Sequence, residues 1–123
     1  LELARALSAS NPESAAARRD VSVSLERLGD VSRQAGDLAA ARSAYEESLE
    51  LARALSASNP ESAAARRDVI VSLDKMGQVT DEASYWREAL GIAEAMEAAG
   101  QLSPADAFIP DYLRRRLSEA ATP

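Results

Sequence analysis

The sequence predicts an all-α chain of stacked antiparallel helical hairpins. Three observations lead there. A 21-residue segment, Leu1 to Val21, recurs without change as Leu49 to Val69, an offset of 48 residues. Apolar residues recur at helical spacing between recognisable start and stop signals. The composition is helix-forming: 46% of residues are apolar, largely through alanine, only 4% are aromatic, and glycine and proline number five each. Alanine has the best helix propensity and lets helix axes approach closely.

The repeat is the first element to place, because self-similarity at a fixed period marks stacked structural units. Beyond the identical segment, Val23, Ser24, Leu25, Gly29 and Val31 match Val71, Ser72, Leu73, Gly77 and Val79. Leu28 becomes Met76, Glu26 becomes Asp74 and Arg27 becomes Lys75, each swap keeping size or charge. Leu1 to Leu7 reads as the second half of a helix, so residues 1–9 are expected to end a preceding repeat and the chain to be part of something longer.

Residues 11–58 form the first expected helical pair. Asn11-Pro12 and Asn59-Pro60 read as helix starts, with Asn as N-cap and Pro at the first helical position, where its missing N–H costs nothing. Val21, Leu25, Leu28, Ser32 and Ala35 make one stripe, repeated by Val69, Leu73 and Met76. Gly36-Asp37 reads as stop and restart, glycine ending one helix and aspartate capping the next. Leu38, Ala41, Tyr45, Leu49, Ala52 and Leu55 make the second stripe. Ala57-Ser58-Asn59 is a short connection, which favours antiparallel neighbours.

Residues 59–99 form a second, shortened pair. Gly29 to Tyr45 spans sixteen positions, whereas Gly77 to Trp86 spans nine, and the Gly-Asp turn is gone. Two structures fit. A tight break at Thr80-Asp81, with Thr80 as cap, leaves two short helices. Alternatively, Pro60 to Ala99 runs as one helix. The continuous form would leave an open hairpin and invite domain swapping, which weighs toward the break. After Gly100, Ser103-Pro104-Ala105-Asp106 reads as cap and first turn of a closing helix over 103–121. Phe108, Ile109, Tyr112, Leu113 and Leu117 are expected on its apolar face and Arg114, Arg115 and Arg116 mostly on the other. Pro110 either starts this helix or kinks it.

These residues resemble the tetratricopeptide repeat, whose signature runs W-x2-L-G-x2-Y, then A-x3-F, then P. Leu25-x2-Leu28-Gly29 fits the first part, with Leu for Trp and Ser32 for Tyr. Ala41-x3-Tyr45 fits the second, and Trp86 aligns with Tyr45. The spacing departs from the family's roughly 34 residues: each helix of the pair reads as two turns longer. The resemblance implies a fragment of an α-solenoid with a C-terminal capping helix, and a groove lined by the first helix of each pair. By position, that groove would take Val23, Glu26, Asp30 and Arg33 from the first unit and Val71, Asp74, Gln78 and Asp81 from the second. Family members that clamp C-terminal carboxylates use Lys, Arg and Asn there; the acidic residues here suit a protein or peptide partner of basic or mixed charge instead. The alternative to a groove is a spacer within a longer array.

Other functions find little support in the sequence. The formal net charge is −6, which disfavours nucleic acid. Histidine and cysteine are both absent, removing the commonest general base, thiolate metal sites and disulfides. No cofactor is implied and no apolar run is long enough to span a membrane. The carboxylates Glu46, Glu47, Glu50, Asp81 and Glu82 are expected on solvated helix faces, which speaks against an enzyme. Arg18-Arg19 and Arg66-Arg67 read as solvated pairs, and Tyr85-Trp86 as packing residues before a binding anchor. The expected role is a protein-interaction scaffold; the alternative is self-association into a homo-oligomer, driven by an exposed stripe at Leu3 and Leu7. The compartment is unassigned, with the cytoplasm favoured.

Overall fold

A computed structural model describes residues 15–121. Among these it holds five α-helices, a 3₁₀ turn and no strand. The helices are α1 (Ala15–Gln34), α2 (Leu38–Ser58), α3 (Ala63–Thr80), α4 (Ala83–Ala98) and α5 (Ile109–Ala121), with the 3₁₀ turn at Pro104–Asp106. Each packs against its neighbours in sequence, giving a helical stack. The expectations for residues 1–14, including the Asn11-Pro12 cap and the Leu3 and Leu7 stripe, lie outside the described residues.

Local chemistry sets the helix ends. Gly36 takes φ +83° and Gly100 φ +69°, a conformation open to glycine at little steric cost. At both ends the next N–H reaches back to close the helix: Asp37 N–H donates to Ser32 O at 2.9 Å and Gln101 N–H to Met96 O at 2.8 Å. These are Schellman closures. Asp37 then caps α2, its carboxylate accepting from Ala40 N–H at 3.0 Å. The sequence reading of this turn holds.

Thr80-Asp81 is a break, so the continuous-helix alternative falls. Thr80 Oγ1 donates to Met76 O at 2.7 Å and accepts from Glu82 N–H at 3.1 Å, serving both sides of the turn. Asp81 adopts φ +58°, and its N–H donates to Gly77 O. Aspartate is among the few non-glycine residues that visit this region.

Asn59-Pro60 behaves differently from the expectation. Asn59 closes α2 instead of opening α3: its backbone N–H and its Nδ2 both donate to Leu55 O at 3.1 Å. Its carbonyl accepts from Ser62 N–H at 2.9 Å, so 59–62 is a β-turn with Pro60 at the second position. Ser62 is the N-cap of α3, its hydroxyl accepting from Ala65 N–H. Asn-Pro suits a turn as well as a cap, and the nearby serine takes the capping role. Residues 103–121 are likewise not one helix. The 3₁₀ turn at Pro104–Asp106 precedes α5, and Pro110 sits in the first turn of α5, where a missing N–H breaks no bond.

The core is built twice on one device. Gly29 on α1 lies under the Tyr45 ring, and Gly77 on α3 under the Trp86 indole. An added Cβ would come within 2.6 Å of Tyr45 Cδ1 in the first case and of Trp86 Nε1 in the second. Both rings are buried. Trp86 therefore packs as its alignment with Tyr45 implies. Around them lie Ala41, Leu49 and Ala52 of α2, Val69, Leu73 and Met76 of α3, Ala89, Ala93 and Met96 of α4, and Ile109 and Leu113 of α5. Between α1 and α2 the buried pair Ser22 and Ser48 bond reciprocally, Ser48 Oγ donating to Ser22 O at 2.9 Å and Ser22 Oγ to Ser48 O at 3.1 Å. Hydroxyls that pair in this way let two helices meet with no polar group orphaned.

Several stripe positions stay uncovered. Leu28 is 43% exposed, Leu38 54% and Phe108 60%; Ser32 is half-buried and Ala35 is exposed. Leu38 and Ala35 flank the Gly36-Asp37 turn between α1 and α2. Phe108 precedes the first turn of α5 and meets Tyr112 edge-on, with centroids 6.4 Å apart. Arg116 departs from its expected polar face: its guanidinium lies 5.5 Å from the Trp86 ring centroid and 5.6 Å from that of Tyr112. Arg114 and Arg115 are exposed as expected.

Candidate protein-binding face

Side chains of α1, α3 and α5 meet along one line of the stack. Asp30 accepts from Lys75 Nζ at 2.9 Å and from the Tyr45 hydroxyl. Arg33 Nη1 donates to Gln78 Oε1, and Gln78 Nε2 donates to Asp74 Oδ2 at 2.9 Å. Asp74 Oδ1 also accepts from Trp86 Nε1 at 2.9 Å and from the Tyr112 hydroxyl at 2.8 Å. Arg116 Nε donates to the Tyr112 hydroxyl at 3.1 Å. Three aromatics, Tyr45, Trp86 and Tyr112, are thus tied by their polar tips to aspartates of the first helices.

Of the eight residues carried over by the resemblance, Asp30, Arg33, Asp74 and Gln78 come together in this network. Val23, Glu26 and Val71 are half-buried on the same helices. Asp81 does not join them. It is exposed at the α3–α4 tip, because its left-handed backbone ends the helix before the row reaches it. There it borders a notch of about 310 Å³ with Trp86, Arg116, Glu119 and Ala120. The sequence reading missed Lys75, Tyr112 and Arg116 as members of the network. Lys75 stood only as a charge-conserving partner of Arg27, and the other two join through the placement of α5.

The electrostatics differ between the two acids of α1. Burial works against ionisation of Asp30, but the Tyr45 hydroxyl and Lys75 outweigh it and hold its carboxyl below the usual 3.8. Burial pushes the Glu26 carboxyl above its usual 4.5, with Lys75 pulling the other way. The Tyr45 and Tyr112 hydroxyls are both raised, by burial first and by their aspartate partners as well.

Both shifts link the stability of the fold to pH. Asp30 contributes stability above pH 3.8 that is lost as pH falls through its lower folded value. Glu26 is destabilising when ionised, and that penalty is relieved as pH falls from neutrality toward 4.5. Glu26→Gln is therefore expected to melt higher than the parent at pH 7, and the gap is expected to shrink as pH approaches 4.5. Thermal melts across that range check it; a gap that widens on acidification contradicts the assignment.

Asp74→Ala leaves the Trp86 N–H and the Tyr112 hydroxyl without their acceptor. An expected cost of about 1–3 kcal/mol follows from leaving buried donors unpaired. Urea unfolding measures it, and an unchanged midpoint would mean that water replaces the carboxylate.

The arginine pairs are not simply solvated. Arg19 Nε lies 2.9 Å from Asp68 Oδ2, Arg67 Nε lies 2.8 Å from Asp106 Oδ2, and Arg66 Nη1 donates to Gln101 at 2.9 Å. Such exposed pairs contribute at most about 1 kcal/mol each, and they bridge successive units. Between α2 and α4 lies a cleft of about 570 Å³, floored by Val69, Gly91, Ile92 and Ala95 and crossed by Arg53 and Glu88 at 2.6 Å.

No protein-family model, curated protein or solved structure matches this chain. Among the described residues no group of His, Cys, Asp or Glu is placed to hold a metal ion, and no helix is long and apolar enough to cross a membrane. Glu46, Glu47, Glu50, Asp81 and Glu82 are all exposed, and Glu46 pairs with Arg42 at 3.0 Å.

Proposed function

We propose that the chain is a protein-interaction scaffold of the tetratricopeptide kind, binding a partner of basic or mixed charge along the face formed by α1 and α3. One observation carries the reading. On that face the carboxylates of Asp30 and Asp74 are engaged by their neighbours, whereas that of half-buried Glu26 makes no hydrogen bond or ion pair among the described residues. A carboxylate that burial already disfavours in its charged form gains from a lysine or arginine brought to it by a ligand. Val23 and Val71, also half-buried, supply apolar contact beside it. The net charge of −6 adds a long-range attraction for a basic partner. The repeat resemblance at Leu25-x2-Leu28-Gly29 and Ala41-x3-Tyr45 supports the same face. The reading assigns the chain no catalysis and no cofactor.

A photo-crosslinker at Val23 or Val71 tests it. Capture of a protein or peptide partner is expected, and Glu26→Lys is expected to abolish that capture with the helical spectrum intact. Crosslinks that survive Glu26→Lys unchanged would rule out this recognition. A second reading, association between copies, is favoured by the exposed Leu38 and Phe108. Sedimentation over a range of concentrations separates the two: an unchanging monomer mass removes it.

A further inference from the structure

Units repeated at an offset of 48 residues ought to bury the same positions. Val21 and Val69 do, as do Leu25 and Leu73. One edge of α1 does not follow. Leu28 is 43% exposed, whereas its equivalent Met76 is 0% exposed; Val31 is 63% exposed, whereas Val79 packs against the core. The charges on this edge show the same asymmetry. Asp68 on α3 receives Arg19 from α1 at 2.9 Å. Arg67, the equivalent of Arg19, reaches forward to Asp106 at 2.8 Å. An arginine of each unit thus meets an aspartate of the next. Asp20, the equivalent of Asp68, is exposed, and its carboxylate has no ion pair or hydrogen bond among the described residues.

Among the described residues, α2 supplies α3 with a cover that has no counterpart on α1. Met76 belongs to one core cluster with Ala41 and Tyr45, from the first half of α2. The turn at 59–62 is short, so α2 and α3 run antiparallel and the beginning of α2 lies beside the end of α3. A helix with the pattern of residues 38–48 is therefore what covers the Met76–Val79 edge.

We propose that the edge of α1 bearing Asp20, Leu28 and Val31 is a docking edge for a further unit of this same repeat. The second helix of that unit covers Leu28 and Val31 as α2 covers Met76. An arginine on its first helix, in the place of Arg19, meets Asp20. The partner is a helical hairpin of the same kind set in line with the stack. A second folded copy of the whole chain does not serve, because the apolar stripe of its α2 is already buried. The inference stands apart from the binding face above and holds whether or not that face takes a ligand.

The test extends the full chain by one unit. Residues 11–48 are joined directly ahead of Leu1, which keeps register because Ser48 is naturally followed by the same sequence that begins at Leu1. The chain has no cysteine, so Val31→Cys introduces a unique thiol at an exposed site. Its alkylation is expected to be at least tenfold slower in the extended chain than in the unextended one. A thiol introduced by Phe108→Cys, remote from this edge, is expected to react equally in both. Leu28→Asp is expected to leave the melting temperature of the unextended chain nearly unchanged and to lower that of the extended chain by several degrees. Equal alkylation of the Val31→Cys thiol in both chains overturns the proposal. Protection in the unextended chain that grows with protein concentration also overturns it, and assigns the edge to a second copy.

Discussion

Trp86→Ala is expected to lower the free energy of unfolding by about 3–5 kcal/mol, the range for removing a large aromatic from a core. The indole is 3% exposed and rests on Gly77. Its N–H donates to Asp74 and its face carries Arg116. Truncation empties the space over a glycine, which has no side chain to fill it, and removes one donor from a half-buried carboxylate. Against a typical total of 5–15 kcal/mol, a loss of that size moves a large share of molecules toward the unfolded state. Urea unfolding followed by circular dichroism measures the loss without relying on the chain's single tryptophan. Trp86→Phe separates the contributions: it keeps most of the ring and loses the hydrogen bond, so a smaller cost is expected. A loss below about 1 kcal/mol for the alanine variant would contradict the packing described.

Gly77→Ala is expected to destabilise by about 1–3 kcal/mol although it places a better helix former in mid-helix. Two effects compete. Alanine gains roughly 0.5–1 kcal/mol over glycine within a helix. The added Cβ, however, falls within 2.6 Å of Trp86 Nε1, and the buried indole is held by Asp74 and cannot retreat. The clash is the larger effect. The same reasoning applies to Gly29→Ala under Tyr45. The decisive measurement is a double-mutant cycle. In a Trp86→Leu background the cost of Gly77→Ala should largely vanish, because residues in contact couple by about 0.5–3 kcal/mol. Equal costs in both backgrounds would place the strain elsewhere.

Much of the helical framework was legible because its signals are local. Gly36-Asp37 carried stop and cap in adjacent residues, and both act within one turn of the chain. The break at Thr80-Asp81 was legible as one of two alternatives. A threonine that bonds back to Met76 O and forward to Glu82 N–H settles it. The exchange of roles between Asn59 and Ser62 was not legible. Asn-Pro is compatible with a helix start and with a β-turn, and the choice depends on which N–H groups the packed helices leave free. The candidate face was legible as a row of positions, yet its chemistry was not. Asp30 and Asp74 read as ligand contacts by position, whereas both carboxylates spend their acceptors on Tyr45, Lys75, Trp86, Tyr112 and Gln78.

The sequence by itself determined that the chain is helical, that its units repeat, and that Gly36 ends one helix before Asp37 caps the next. These follow from period, propensity and the steric character of single residues. Tertiary structure decided which equivalent positions share a fate. Leu28 and Met76 occupy the same place in their units, but among the described residues only Met76 has a helix on both sides. Burial is a property of neighbours, so a residue's own identity cannot fix it.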